Sequence, residues 1–441
     1  MRPGQIIAIG FAMIILAGAL LLSMPFSSKS GEFTPFFDSL FTATSATCVT
    51  GLVVYDTATQ WSVTGQLIIL CMIQIGGLGF MTAAALFLTG FKRKISLKKR
   101  LVLIESAGTG GLKGAVDITK KAVLITVVCE IAGTALLAVR FVPQFGLKGL
   151  YYAVFTSISA FCNAGFDVFG TEFGPGSSLM SYYSDVYVCS VIMMLIVVGG
   201  LGFFVIRNLF GRSSKKIGLH TKLVLTVTTV LLLVGTGLFF VFESKGVLDG
   251  MSFGEKLLSA AFQSVTARTA GFNTITQNTL TDASKLVTSL LMFVGGSPGS
   301  TAGGIKTVTL AVTVLATTAF IAGHRKVNLS YKTISTATIT RSFSIFIISL
   351  FIVLISSVVF SAADGLSLAD SVFMSTSSLG TVGISVVSDI KEEMSVLSRT
   401  LIIFLMYAGR IGSLAVITAL TSSYGEKKQV VEFPDADIFV G

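Results

Sequence analysis

The sequence predicts an all-α membrane protein with eight transmembrane helices and four re-entrant pore helices, arranged as four M1–pore loop–M2 repeats around one central pore. Three observations predict it. Hydrophobic residues make up 52% of the 441 and charged residues only 12%, against about 25% charged in a soluble domain. Uncharged apolar runs of about 20 residues, the length that crosses a hydrocarbon core, recur along the whole chain. A short semi-polar segment ending in glycine recurs four times, with Gly51, Gly165, Gly271 and Gly383 lying 114, 106 and 112 residues apart, the fixed period of a repeat architecture.

The apolar spans read in order at roughly 5–25, 65–90, 121–142, 185–210, 220–242, 284–322, 342–362 and 397–421. The first follows Met1-Arg2-Pro3, which has the short positive start of a signal peptide. Its run is longer than a signal's apolar core and no small-residue cleavage site follows, so it reads as a span. The sixth is 39 residues long and carries Gly295-Gly296-Ser297-Pro298-Gly299-Ser300-Thr301-Ala302-Gly303-Gly304 at its middle. Proline and paired glycines break helices, so two half-helices around a loop are expected there. A broken span is allowed where it borders a water-filled cavity.

An even number of spans puts both termini on one side, and the excess of Lys and Arg marks the cytoplasmic side. Lys92, Arg93, Lys94, Lys98, Lys99, Arg100 and Lys113 follow the second span. Arg212, Lys215 and Lys216 follow the fourth, Arg325 and Lys326 the sixth, and Lys427 and Lys428 stand in the tail. Both termini are therefore expected in the cytoplasm of a multi-pass cell-membrane protein. The repeats divide the chain into 1–92, 121–212, 220–324 with a broken second helix, and 341–424, leaving 425–441 as a cytoplasmic tail.

Each glycine-ending segment has one pattern: an aromatic, then a hydroxyl four residues on, then the glycine. The pairs are Phe41 and Ser45, Phe155 and Ser159, Phe262 and Thr266, Phe373 and Ser377. In the spans that follow, Gly76-Gly77-Leu78-Gly79-Phe80 recurs unchanged as Gly199-Gly200-Leu201-Gly202-Phe203. Two spans per unit give successive units the same membrane orientation, unlike inverted-repeat transporters. Four loops can then meet around one axis. A short descending helix aims its negative end inward, and carbonyls facing the axis replace an ion's hydration shell. Glycine supplies backbone angles that a β-carbon forbids. The predicted filter is Val49, Thr50 and Gly51; Asn163, Ala164 and Gly165; Thr269, Ala270 and Gly271; Thr381, Val382 and Gly383, with K+ at their backbone carbonyls. No Asp or Glu lies in any of these strands, so a ring of acids is absent at this level.

The residues exclude several function classes. The net charge of +10 follows from topology and from attraction to anionic lipid headgroups, and nucleic acid is not expected as a partner. Two histidines, His220 and His324, and five cysteines without ligand spacing leave no zinc or di-metal site. No nucleotide loop and no His-Glu-x-x-His occurs, so the chain is not an enzyme and carries no cofactor. A proton relay would need acids in the spans, where Glu130 is nearly alone. No arginine-repeat helix marks a voltage sensor.

Three cationic side chains lie within the pore units, and each must face the interior because a charge at bilayer centre costs at least ~2.5 kcal/mol. Arg268 reads as a tie between its loop and neighbouring backbone. Lys306 and Arg410, with Gly295 to Gly304, form an expected gate below the filter. Arg410 is either an electrostatic barrier to the ion or an arginine satisfied by helix carbonyls or by Glu130.

The run Ala267-Arg268-Thr269-Ala270-Gly271-Phe272-Asn273-Thr274 and the run from Gly295 to Thr307 resemble the superfamily of Trk, Ktr and HKT potassium transporters, most closely its Ktr membrane-subunit branch, KtrB. The resemblance covers essentially the whole chain. It implies potassium uptake, a homodimer with one pore per subunit, and control by a cytosolic ring of RCK-type nucleotide-binding subunits of the KtrA kind. In that family a serine at the first filter glycine goes with sodium transport, so Gly51 favours potassium. Passive flux and flux with Na+ as a coupling or activating ion both stay open. The basic stretches Lys98 to Arg100 and Lys215 to Lys216 are the expected docking surfaces for the ring.

Overall fold

The computed structural model describes residues 3–79, 115–210, 217–324, 326–329 and 332–412. Most of the basic stretches after the second and fourth spans, the tail 425–441 and Arg325 lie outside the described residues. What is described is almost wholly helical. The long elements are α1 (Pro3–Ser23), α2 (Phe36–Cys48), α3 (Val63–Leu78), α4 (Ala115–Phe145), α5 (Leu147–Cys162), α6 (Val186–Leu201) and α7 (Phe203–Phe210). They continue with α8 (Leu219–Glu243), α9 (Phe253–Thr266), α10 (Asp282–Phe293), α11 (Thr307–Ile321), α12 (Thr336–Asp364), α13 (Leu368–Gly380) and α14 (Val396–Ile411). Among the described residues four helices are long and apolar enough to cross a membrane, and five if the bent pair α6–α7 counts as one span.

Four successive segments, the repeats expected from sequence, each hold an outer helix (α1, α4, α8, α12), a short helix at the place of the expected pore helix (α2, α5, α9, α13) and an inner helix (α3, α6, α10, α14). The outer helices are only 17–33% buried. Their exposed faces carry Leu16, Leu20, Val128, Ile131, Leu233, Val241, Phe351 and Val358, as a lipid-facing surface requires. The pore-helix aromatics of the sequence pattern, Phe41, Phe155, Phe262 and Phe373, are fully buried. Truncating such a ring to alanine typically costs ~3–5 kcal/mol.

All four inner helices start on a capping side chain that accepts a backbone N–H three residues ahead: Ser62 from Gly65, Asp185 from Val188, Thr281 from Ser284 and Ser395 from Ser398. Such caps satisfy donors that a helix start leaves without partners. The helices then stop early. Gly79, Gly202 and Gly412 follow α3, α6 and α14 with φ of 81°, 87° and 101°, a left-handed stop that glycine adopts at little steric cost.

The apolar run 185–210 is bent: α6 and α7 meet at 101° across Gly202. The break expected only in the sixth span is present there, with α10 and α11 flanking the loop 294–306, but the early stop is shared by the other inner helices. Hydropathy runs straight through Gly202 and could not show it.

Packing closes a ring. Each inner helix packs on the pore helix of the next repeat: α3 on α5, α6 on α9, α10 on α13, and α14 back on α2. Two of these seams carry ion pairs at matching positions, Lys285 with Asp370 at 2.7 Å and Arg399 with Asp38 at 3.5 Å. The seam between α3 and α5 has a neutral contact instead, with Tyr151 Oη donating to Gln66 Oε1 at 2.7 Å.

Candidate functional site

The pore helices point their C-terminal ends at one axis, and each ends in the same backbone turn. Val49, Asn163, Thr269 and Thr381 have φ of 58°, 60°, 72° and 52°, and the glycines two residues later have φ of 99°, 69°, 82° and 94°. Left-handed backbone is unusual for any non-glycine residue and is an outlier for β-branched ones. The turn persists because it is bonded from behind. Thr50, Ala164, Ala270 and Val382 each donate N–H to the carbonyl of the pattern hydroxyl residue, Ser45, Ser159, Thr266 and Ser377, at 2.8–2.9 Å. The side chains of those same hydroxyl residues hold the exit of the turn. Ser159, Thr266 and Ser377 donate to the carbonyls of Phe166, Phe272 and Ile384 at 2.6–2.7 Å, and Ser45 Oγ accepts from Gly51 N at 3.0 Å.

The four glycines sit in cyclic order around the axis. A β-carbon on Gly51 would lie 2.5 Å from Ala164 O, one on Gly165 2.7 Å from Ala270 O, and one on Gly271 2.6 Å from Val382 O. One on Gly383 would run into Thr50 O and so close the circle. The twelve residues predicted from sequence therefore come together as four strands whose carbonyls and glycines interlock. Asn163 and Thr269 also meet through their side chains at 3.2 Å.

Above the ring is a vestibule of about 320 Å³, open on one side and lined by all four glycines. Its acidic side chains are Asp56 and Asp167, which sequence reading did not single out, and no Lys or Arg lines it. Burial pushes the Asp167 carboxyl up to about 7, the Asp56 charge adds to that, and a hydrogen bond from Phe169 N opposes it.

Below the ring lies the loop 294–306. It is tied to the inner helix of repeat 2 by Ser297 N to Gly200 O at 3.0 Å and Thr301 N to Gly199 O at 3.3 Å. Thr301 Oγ1 donates to Phe161 O, two residues before the left-handed Asn163, at 3.2 Å. Lys306 Nζ donates to Ala302 O at 2.6 Å and Gly303 O at 3.3 Å. Arg268 Nη2 donates to Gly295 O at 3.0 Å. Arg410 reaches across from α14: it donates to Thr301 O on the loop, and to Gly76 O and Gly77 O on α3. One guanidinium thus joins repeats 1, 3 and 4.

Glu130 takes no part in this contact. Its partners are Gln74 and Cys162. The position of Arg410 explains its reach. Gly76, Gly199 and Gly409 occupy equivalent places, since a β-carbon at each would meet the carbonyl of Thr47, Phe161 or Leu379 at the pore-helix end. Arg410 therefore stands where the other inner helices have Gly77 and Gly200. The repeated Gly-Gly-Leu-Gly run, set against Gly409-Arg410-Ile411-Gly412, is the signal that could have located it.

Comparison with known proteins agrees along the full length. The profile of the TrkH family, described as a cation transport protein, matches residues 5–424. The potassium/sodium uptake protein NtpJ of Enterococcus hirae is 37% identical, covering 100% of this chain and 98% of its own. The Ktr system potassium uptake protein B of Bacillus subtilis is 35% identical, over 100% and 97%. The crystal structure of the potassium transporter TrkH from Vibrio parahaemolyticus superposes with a TM-score of 0.74 at 17% identity, over 95% of this chain and 85% of that one; at that identity the match speaks to the fold.

Proposed function

The chain belongs to the TrkH family of cation transport proteins, and from that premise we propose that it is the ion-translocating membrane subunit of a Ktr/Trk-type potassium uptake system. The observation that carries the proposal is the closed cyclic order of the four filter glycines, each against the carbonyl that precedes the next. An ion on that axis faces backbone oxygens from four repeats and no fixed charge. Carbonyl dipoles compensate for the lost hydration shell, and the absence of a carboxylate lets the ion leave again. The acidic vestibule concentrates cations at the mouth.

The loop 294–306, held by Lys306 and Arg410, serves as the gate beneath. In this reading both termini face the cytoplasm, the protein works as a homodimer, and an RCK-type nucleotide-binding ring docks on the basic cytoplasmic loops and moves the gate.

Rubidium uptake into liposomes containing only this protein tests the reading. Uptake above protein-free vesicles, suppressed by K+ more strongly than by Na+, is expected; uptake equal to protein-free vesicles contradicts it. The name of the Enterococcus relative favours a second reading in which Na+ also takes part. A reversal potential that moves when Na+ alone is varied would favour that reading over passive potassium flux.

A further inference from the structure

We propose that Glu130 is a specificity-determining positioning residue, which holds the second filter strand at its working distance from the axis; the proposal rests on the filter reading above. Glu130 lies at the midpoint of α4 and is 8% exposed. Its carboxylate accepts from Gln74 Nε2 at 3.2 Å and from the Cys162 thiol at 3.8 Å. Gln74 Oε1 lies 3.8 Å from the same sulfur, an alternative acceptor for its one proton. Among the described residues no Lys or Arg pairs with Glu130, so this carboxyl group is held at membrane depth by two neutral neighbours. Acids in such places are rare and belong to function more often than to packing.

The two neighbours are the reason to expect an effect on selectivity. Cys162 is the last residue of α5 and immediately precedes Asn163, where the second strand turns left-handed. Gly77 leaves the thiol its place, since a β-carbon there would lie 2.6 Å from Cys162 Sγ. Gln74 stands on α3, two residues before Gly76, whose carbonyl receives Arg410. One carboxylate therefore touches the back of a filter strand and the helix that anchors the arginine beneath it. The residues equivalent to Cys162 are Cys48, Arg268 and Gly380. Of these Arg268 does the corresponding job in repeat 3, donating to Gly295 O at 3.0 Å. A filter discriminates between K+ and Na+ only while its carbonyls keep their spacing and field, and a strand released from behind relaxes toward the smaller ion.

The test measures the Rb+/Na+ permeability ratio in liposomes for the parent, Glu130→Gln, Gly165→Ala, and the exchanged pair Glu130→Gln with Gln74→Glu. Glu130→Gln keeps the shape and one acceptor oxygen for Gln74 Nε2, but it faces the Cys162 thiol with an NH2 where the parent has an acceptor. The ratio is expected to fall roughly tenfold, the factor that ~1.4 kcal/mol gives. The exchanged pair puts a carboxylate and an amide back across the same two helices and should restore the parent ratio. Reduced uptake at an unchanged ratio in folded Glu130→Gln overturns the proposal. If Glu130→Gln does not fold, the exchanged pair decides, a parent ratio supporting the proposal and an altered one overturning it. Gly165→Ala separates the two readings: an unchanged ratio there overturns the filter assignment itself, whereas a changed ratio beside an unaffected Glu130→Gln overturns only the role of Glu130.

Discussion

Replacing Arg410 by alanine should make the protein conduct faster than the parent when no regulatory subunit is present. Arg410 bonds three carbonyls, one of them, Thr301 O, on the loop below the filter. A hydrogen bond from a charged donor contributes about 1.5–3 kcal/mol, so removing the loop contact shifts a closed-to-open equilibrium by roughly tenfold to roughly a hundredfold at ~1.4 kcal/mol per decade. The loop is not set free, because Thr301 Oγ1 and the N–H groups of Ser297 and Thr301 keep their partners in repeat 2; only the balance changes. The assay is the initial rate of rubidium uptake into liposomes. Arg410→Lys separates the two physical roles of the side chain. It keeps the charge but loses the forked geometry that lets one group bond two elements. A tether predicts raised flux in both variants, whereas an electrostatic barrier predicts raised flux in the alanine variant alone. Two folded variants no more conductive than the parent would refute both, and the loop would be a packing kink with the gate elsewhere.

Other expectations can be checked with similar measurements. Gly51→Ser and Gly383→Ala place a β-carbon at φ of 99° and 94° against the carbonyls of Ala164 and Thr50; left-handed backbone costs an L-residue ~1–2 kcal/mol, and the preference for K+ over Na+ should fall in both. Asp167 gains its proton as external pH drops through about 7, so the mouth loses one of its two carboxylates. Uptake at low K+ should then be slower at external pH 6 than at pH 8, and Asp167→Asn should be slow at both and show no such step. Lys285→Met leaves Asp370 without its cation at the seam of repeats 3 and 4. Removing one partner of a half-buried pair costs about 1–3 kcal/mol, read as a lower melting temperature in detergent, and Lys285→Asp with Asp370→Lys should recover part of it.

The apolar helices were legible because lipid imposes apolar length, and the ring of glycines because four left-handed positions demanded four glycines at one period. The pattern hydroxyls were visible too, although their task of clasping the exit of each turn was not. Hidden from sequence were the left-handed angles at Val49 and Thr381, which local preference opposes and the hydrogen bonds behind each turn, with the converging repeats, enforce. The stop at Gly202 was hidden because hydropathy does not change across it. Arg410 was expected beneath the ring of glycines, but its three acceptors belong to segments more than a hundred or three hundred residues away. Glu130 was named as an alternative partner of Arg410, and its real partners, Gln74 and Cys162, became visible only once α3, α4 and α5 were packed. Contacts between repeats carry no local signature, and the site is made of them.

The account stands most directly on whether a monovalent cation sits on the axis of the four strands. Crystals of the protein grown in rubidium and measured at the rubidium absorption edge would answer this. The account predicts anomalous density on the axis, coordinated by the carbonyl oxygens of Thr50, Ala164, Ala270 and Val382, and its loss when Gly383 is replaced by alanine. Well-ordered strands with no axial density, and density instead against Asp56 and Asp167 alone, would contradict it.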